Sequence, residues 1–152
     1  MGCFEYTTDM ELYTSCLDKQ NTIKQLFQDC PTPESKYKKL IELGRLIPPL
    51  DPTIDKSALQ VNGCQSIVYL RTFLKEGKVH FQAQSEALIS SGLVYILIAT
   101  YEGESPETIL KCPPTFITEL GIPGSLTPGR SNGLASIHLR IKQDALKFLT
   151  HS

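Results

Sequence analysis

The chain has 152 residues, of which 41% are hydrophobic and 20% charged, and its formal net charge is -1. A chain of this length can bury about 70% of its unfolded surface in one core, so neither disulfides nor metals are needed for stability. The balanced charge excludes a basic footprint for nucleic acid, and the longest apolar run, residues 92–101, is too short to span a bilayer.

The first eighteen residues mix aromatic and apolar side chains with acids, and we assign them to an N-terminal extension that can form a short helix. No internal repeat and no low-complexity linker follows. A single domain is therefore predicted over residues 19–152.

Helical spacing predicts the first two helices of this domain. Apolar residues from Ile23 to Cys30 recur at i, i+3, i+4 and i+7, and Pro31 ends that helix. Thr32 is predicted to cap a second helix that has Pro33 at its first position.

Two strands are predicted next. Residues 67–74 are β-branched and aromatic, and residues 79–84 alternate apolar with polar side chains. Between them, Glu76 and Gly77 supply the chemistry of a tight turn. The pattern predicts an antiparallel hairpin.

Helices fill the rest of the chain. Ser85 is expected to cap a central buried helix, and Ser105 with Pro106 begins a short one. Ser131 or Asn132 is expected to cap the last helix. The predicted fold class is α+β, with a small antiparallel sheet packed against several helices.

Cysteine usage indicates a reducing compartment. There are five cysteines, an odd number, and the N-terminus shows no export signal, so reduced thiols and a cytoplasmic location are expected. No C-x-x-C pair or His/Cys cluster occurs, and no metal site is predicted. A cysteine is usually a small buried hydrophobe, and this interpretation applies to Cys3, Cys16, Cys30 and Cys112.

The exception is Cys64, which lies in a turn just ahead of the hairpin. Reactive cysteines are partly exposed where amides, cations or a helix end stabilise the thiolate. Gly63 permits a positive φ and leaves the sulfur accessible, while Gln65 and Ser66 either donate hydrogen bonds to the sulfur or close their own turn. The sequence predicts an accessible, reactive thiol here.

Four blocks of the chain carry a pattern: V-N-G-C-Q-S-I-V-Y-L at residues 61–70, residues 37–50, residues 85–89 with Gly92 and Leu93, and residues 126–134. Together they resemble the SufE family, which comprises sulfur acceptors in iron-sulfur cluster assembly. Four residues depart from what the family usually has: Ile67 for glutamine, Tyr69 for tryptophan, Glu86 for aspartate and Gly129 for serine. The resemblance implies a SufE/IscU-like fold.

The resemblance also implies a function. Cys64 would take persulfide sulfur from a partner cysteine desulfurase, SufS-like, stimulate that enzyme and pass the sulfur to a downstream cluster scaffold. Pyridoxal phosphate would belong to the partner, and no cofactor is expected in this chain. The protein would be an accessory sulfur-transfer protein rather than an enzyme, a monomer or weak dimer, without nucleic-acid or membrane partners.

Two further residues are candidates for the site. Glu86 is expected at the first turn of the central helix, where it stabilises the helix dipole or braces the thiol loop. Arg130, just ahead of the last helix, pairs with an acid near the loop, contacts the partner, or has no role. We also expect the Cys64 turn to alternate between a pocketed and an extended state.

Other functions stay open at this point. A cysteine-nucleophile hydrolase needs a histidine base beside Cys64, and chain order leaves both His80 and His138 available. A cluster scaffold needs several converging thiolates, and a non-reactive adaptor would leave Cys64 without chemistry. The resemblance favours the sulfur acceptor.

Overall fold

The computed structural model describes residues 13–150, which form helices around a two-stranded antiparallel sheet. This arrangement confirms the predicted α+β class. In chain order the elements are α1 (Thr14–Leu26), α2 (Pro33–Gly44), β1 (Val68–Lys75), β2 (Lys78–Ser85), α3 (Leu88–Tyr101), α4 (Pro106–Lys111), α5 (Phe116–Glu119), α6 (Ile122–Ser125) and α7 (Pro128–Thr150).

The predicted hairpin is confirmed. Lys75 pairs with Lys78 across a two-residue turn in which Glu76 has φ 54° and Gly77 has φ 79°. Positive φ at both central residues is typical of the turn that matches the right-handed twist of two strands. On the inner face, alternate residues of both strands are buried: Val68, Leu70, Val79, Phe81 and Ala83.

Helix α3 is the centre of the molecule, as its apolar sequence predicts. It is buried almost all round and contacts α1, α2, α7 and β2. Its Gly92 lies against α2, where an added Cβ would be 2.6 Å from the carbonyl carbon of Leu40. The two helix backbones meet so closely that only glycine fits.

The first helix differs from its prediction. It runs over Thr14–Leu26, whereas the apolar spacing predicts a helix from Ile23 to Cys30. Its buried face includes the polar residue Gln20, which interrupts the apolar periodicity expected of a helix. Residues 27–30 form turns rather than helix. The predicted domain boundary after residue 18 falls inside this helix, and the part of the predicted extension before residue 13 lies outside the described residues.

The predicted caps have mixed outcomes. Thr32 and Ser105 do cap their helices, each accepting a backbone N–H three residues ahead. Ser85 does not cap α3, because the N-cap position is Ala87 and forms no side-chain cap bond.

Helix α7 also begins earlier than predicted, at Pro128. The carbonyl of Thr127 accepts the N–H groups of Arg130 and Ser131, at 3.1 and 3.0 Å. Ser131 and Asn132 therefore lie inside the helix rather than at its cap.

Candidate thiol site

The loop that carries Cys64 is fixed at both ends. The N–H of Val61 donates to the carbonyl of Val68 at 2.8 Å, and the N–H of Leu70 donates to that of Leu59 at 2.9 Å. Val61 and Val68 are both buried. Residues 58–61 thus add a short antiparallel segment beside β1, and residues 62–67 project from this base as the thiol loop.

The tip of the thiol loop is held by side-chain contacts rather than by backbone hydrogen bonds. No backbone hydrogen bond ties residues 62–67 to a helix or strand of the part of the chain that the structure describes. Gly63 has φ 89°, and an added Cβ there would lie 2.5 Å from Oγ of Ser136 on α7. Glycine is therefore required both for the backbone conformation and for the approach to α7.

The thiol of Cys64 faces α7 and is partly buried. Its Sγ donates to the carbonyl oxygen of Gly133 at 3.8 Å. Burial raises the pKa of this thiol. The sequence predicts surroundings that stabilise the thiolate, but a carbonyl acceptor and desolvation both favour the protonated thiol, so in this position Cys64 is not activated.

A narrow cavity lies beside the sulfur. Its volume is about 10 Å³, close to the smallest space that holds one water molecule. Ser90 in the first turn of α3 and Gly129 and Arg130 in the first turn of α7 line it. The partial positive charge at helix N-termini favours an anionic group in such a place.

Gln65 lies over the beginning of α7. A Cβ added to Gly129 would lie 3.0 Å from Cδ of Gln65 and closer still to its Oε1. The lack of a side chain at Gly129 therefore leaves the space that the glutamine fills. Ile67 is 54% exposed and adds an apolar side chain to the surface.

The other predicted site residues are less involved. Ser66 is partly buried but does not line the cavity, whereas Arg130 is partly buried and does line it. Glu86 is exposed and lies two residues before the first residue of α3, so its predicted position in the first helical turn is wrong. The chain is extended at Ala87, which keeps Glu86 outside the helix.

The remaining cysteines support the choice of Cys64. Cys16, Cys30 and Cys112 are at most 8% exposed, as predicted, and Cys3 lies outside the described residues. Burial, together with the neighbouring Cys112 thiol, raises the pKa of Cys16 to about 12. Within residues 13–150, Cys64 is the one cysteine that is not buried.

The two histidines of the described chain lie away from the thiol. His80 pairs with Glu102 at 2.8 Å and stacks on Phe73. His138 stacks on Tyr101 and lines a separate cavity. Neither is among the residues lining the cavity beside Cys64, so within residues 13–150 no histidine of this cavity can serve as the base of the hydrolase alternative.

The contacts made by the middle of α7 were not predicted as parts of the site. Gly133 accepts the thiol, Ser136 meets Gly63, and Ile137 completes the cavity wall. Their spacing along α7 shows that they share one helix face, but the sequence does not show that this face meets the thiol loop. Among the helices of residues 13–150, none combines the length and the apolar character that crossing a membrane requires.

The fold and the thiol loop together define a single-thiol site on an α+β domain, and comparison with known proteins gives the family. The profile of the SufE family, described as an Fe-S metabolism associated domain, matches residues 21–145. The chain belongs to the SufE family.

Relatives of known sequence and structure are similar over most of this chain. A SufE-like protein of Synechocystis is 35% identical, over 83% of this chain and 79% of its own. The sulfur acceptor protein CsdE of Escherichia coli is 33% identical, over 76% and 80%. The cysteine desulfuration protein SufE of Plasmodium vivax is 38% identical, but the match spans only 49% of its length.

A solution structure of a hypothetical protein from Thermus thermophilus has the same fold. Its TM-score is 0.72 at 29% identity, over 87% of this chain and 96% of that one.

Proposed function

We propose that this protein is a sulfur acceptor in iron-sulfur metabolism that receives persulfide sulfur on Cys64 from a cysteine desulfurase. The observation that carries the proposal is the position of Cys64, a partly exposed thiol on a loop whose ends are fixed by backbone hydrogen bonds and whose tip has none to a described helix or strand. Membership of the SufE family and the names of the SufE and CsdE relatives support it.

The transfer is an exchange between sulfur atoms. The Cys64 thiolate attacks the outer sulfur of the persulfide on the partner's cysteine, a new S–S bond forms on Cys64, and the old S–S bond breaks. The electron pair of the broken bond leaves on the partner's thiolate. No external oxidant or reductant is consumed, and this chain needs to supply only an ionised, reachable thiol.

The loop must move for this step. In the described position the thiol is desolvated and bonded to the Gly133 carbonyl, which disfavours ionisation. The cavity beside it is about the size of one water molecule, and an added sulfur atom is larger. Movement of residues 62–67 outward would expose the sulfur, and inward return would shield a persulfide from reductants.

The finer assignments belong to the same proposal. We assign pyridoxal phosphate to a SufS-like partner, delivery to a downstream cluster scaffold, and an accessory rather than enzymatic role to this chain. A cytoplasmic location stays a prediction, and one plant relative is named as chloroplastic/mitochondrial.

Stimulation of a desulfurase tests the proposal. With a purified desulfurase and free cysteine, this protein should raise the rate of alanine formation, and Cys64→Ser should abolish the increase because serine cannot carry sulfur. Cys30→Ala is the matched control, since it removes a buried thiol from the core and leaves the loop intact. Stimulation that survives in Cys64→Ser would point to a non-reactive adaptor instead.

A further inference from the structure

The segment that leads into the thiol loop is held by one side chain of α7. Nη1 of Arg140 donates to the carbonyl of Gln60 at 3.0 Å, and Nη2 donates to that of Ala58 at 2.8 Å. The fixed fork of a guanidinium suits two acceptors on alternate residues of an extended segment. Arg140 therefore binds residues 58–60 on their free edge, opposite β1.

A buried carboxylate orients this guanidinium. Nε of Arg140 donates to Oδ1 of Asp144 at 3.2 Å, and Oγ1 of Thr72 on β1 donates to Oδ2 at 2.9 Å. Asp144 is only 8% exposed. Because the acid is itself held by the sheet, the arginine is fixed with respect to both α7 and β1.

One face of α7 contacts the thiol loop and its entry segment at three positions. Gly133, Ser136 and Arg140 are three and four residues apart, so they share one face of the helix. Gly133 accepts the Cys64 thiol, and Ser136 lies against Gly63. Of the three contacts, the two hydrogen bonds of Arg140 are the strongest, because their donor is charged whereas a thiol is a weak donor.

We propose that Arg140 is a positioning residue for Cys64, fixing the entry segment of the thiol loop so that the thiol meets its sulfur donor from a defined starting point. This inference rests on the proposed sulfur transfer. Without the guanidinium, residues 58–60 keep their bonds to β1 but lose those to α7. The loop then moves outward from a base that is no longer fixed, so a smaller share of its outward conformations fits the partner. The apparent affinity for a partner then falls by the same factor as that population.

The first test uses the isolated protein. In Arg140→Ala we expect the amides of Val61 and Leu70 to exchange hydrogen about 5-fold faster or more, because their bonds close the base of the loop. The rate of Cys64 alkylation by iodoacetamide, measured on the peptide that contains Cys64, should rise with pH around a lower midpoint than in wild type, because the thiol is less buried. Amides of α3 should exchange at the unaltered rate, which separates a local effect from lost global stability.

The second test uses the desulfurase. For Arg140→Ala we expect the concentration of this protein that gives half-maximal stimulation of the desulfurase to rise about 5-fold. The maximal rate should be unaltered, because a saturating concentration of the variant restores the docked complex. Arg140→Lys should fall between wild type and alanine, since an ammonium is a point donor that lacks the fork. Arg71→Ala is the control: Arg71 bonds the Gln82 side chain within the hairpin and does not hold residues 58–60.

The outcomes distinguish a positioning role of Arg140 from a contribution to stability alone. Unaltered exchange at Val61 and Leu70 together with an unaltered alkylation profile would overturn the proposal, even if the unfolding midpoint falls. If Arg140→Ala does not fold, Arg140→Lys is measured instead. Exchange of Val61 and Leu70 at the wild-type rate in Arg140→Lys would then overturn the proposal. Because exchange and alkylation need no partner, a protein that fails to stimulate any desulfurase would contradict the proposed function and leave this test standing.

Discussion

In the proposed function, Cys64 has to meet two opposing requirements. A sulfur acceptor needs an ionised thiol that reaches a partner atom, and a sulfur carrier needs to shield the persulfide once it has formed. In the described position the thiol is partly buried, bonded to the Gly133 carbonyl and raised in pKa, which suits shielding. On the proposed mechanism, the ionised, reachable thiol would belong to a different position of residues 62–67.

At Gly129, the packing of Gln65 predicts how readily the loop leaves that position. In Gly129→Ser, the new Cβ would occupy the place of the Gln65 amide. Loss of a packing contact of about 0.5–1 kcal/mol would raise the rate of Cys64 alkylation about 2- to 5-fold. The rate is measured by mass spectrometry on the peptide that contains Cys64.

Gly124→Ser is the control for this substitution, because nothing lies within 4 Å of a Cβ added there. Equal alkylation rates in wild type and Gly129→Ser would mean that Gln65 does not hold the loop.

At the residue scale, the sequence predicted the thiol better than its surroundings. Gly63 and Cys64 are recognisable because a left-handed turn and a reactive sulfur each demand a particular residue type. Arg140 is not, since Arg140 and Asp144 form an i, i+4 pair that any exposed helix can carry. That the guanidinium also reaches two distant carbonyls depends on how α7 packs beside residues 58–60.

At the scale of elements, the contact between α2 and α3 is a sensitive position of the fold. Alanine is favoured over glycine by about 1 kcal/mol in a helix, but a Cβ at Gly92 would overlap the backbone of Leu40, which cannot rotate away. The steric overlap should outweigh the gain in helix propensity, so Gly92→Ala should lower the free energy of unfolding by about 2 kcal/mol or more.

Urea unfolding measures this change, with Gly124→Ala as the variant that adds a methyl group in open space. A Gly92→Ala protein as stable as wild type would show that the two helices do not approach as closely as described.

Elements with a local signal were predicted well, and those without one were not. The hairpin follows from a two-residue turn between alternating strands, and α2 from Thr32 and Pro33. The true extent of α1 was missed because Gln20 lies on its buried face, where its amide Nε2 donates to the Pro113 carbonyl at 3.1 Å. A polar residue with a distant partner interrupts the apolar period from which a helix is predicted.

For the whole molecule, buried thiols predict how stability depends on pH. The pKa of Cys16 is raised by burial from 9.0 to about 12, so the folded state holds the proton more tightly than the unfolded state. Its contribution is fully present below about pH 9 and is lost as pH rises towards 12, by about 1.4 kcal/mol per pH unit.

Urea unfolding at several pH values should show this loss, and Cys16→Ala should make the alkaline slope shallower. An equally steep slope in that variant would assign the pH dependence to other groups, such as Tyr101, whose pKa burial also raises.

The most direct measurement of sulfur transfer is the mass of the protein after incubation with a desulfurase and free cysteine. We predict a gain of one sulfur atom that is removed by a reductant and that peptide mapping assigns to Cys64, with no gain in Cys64→Ser. Sulfur found on another cysteine, or no gain while the desulfurase is turning over, would contradict the role of Cys64 as the acceptor.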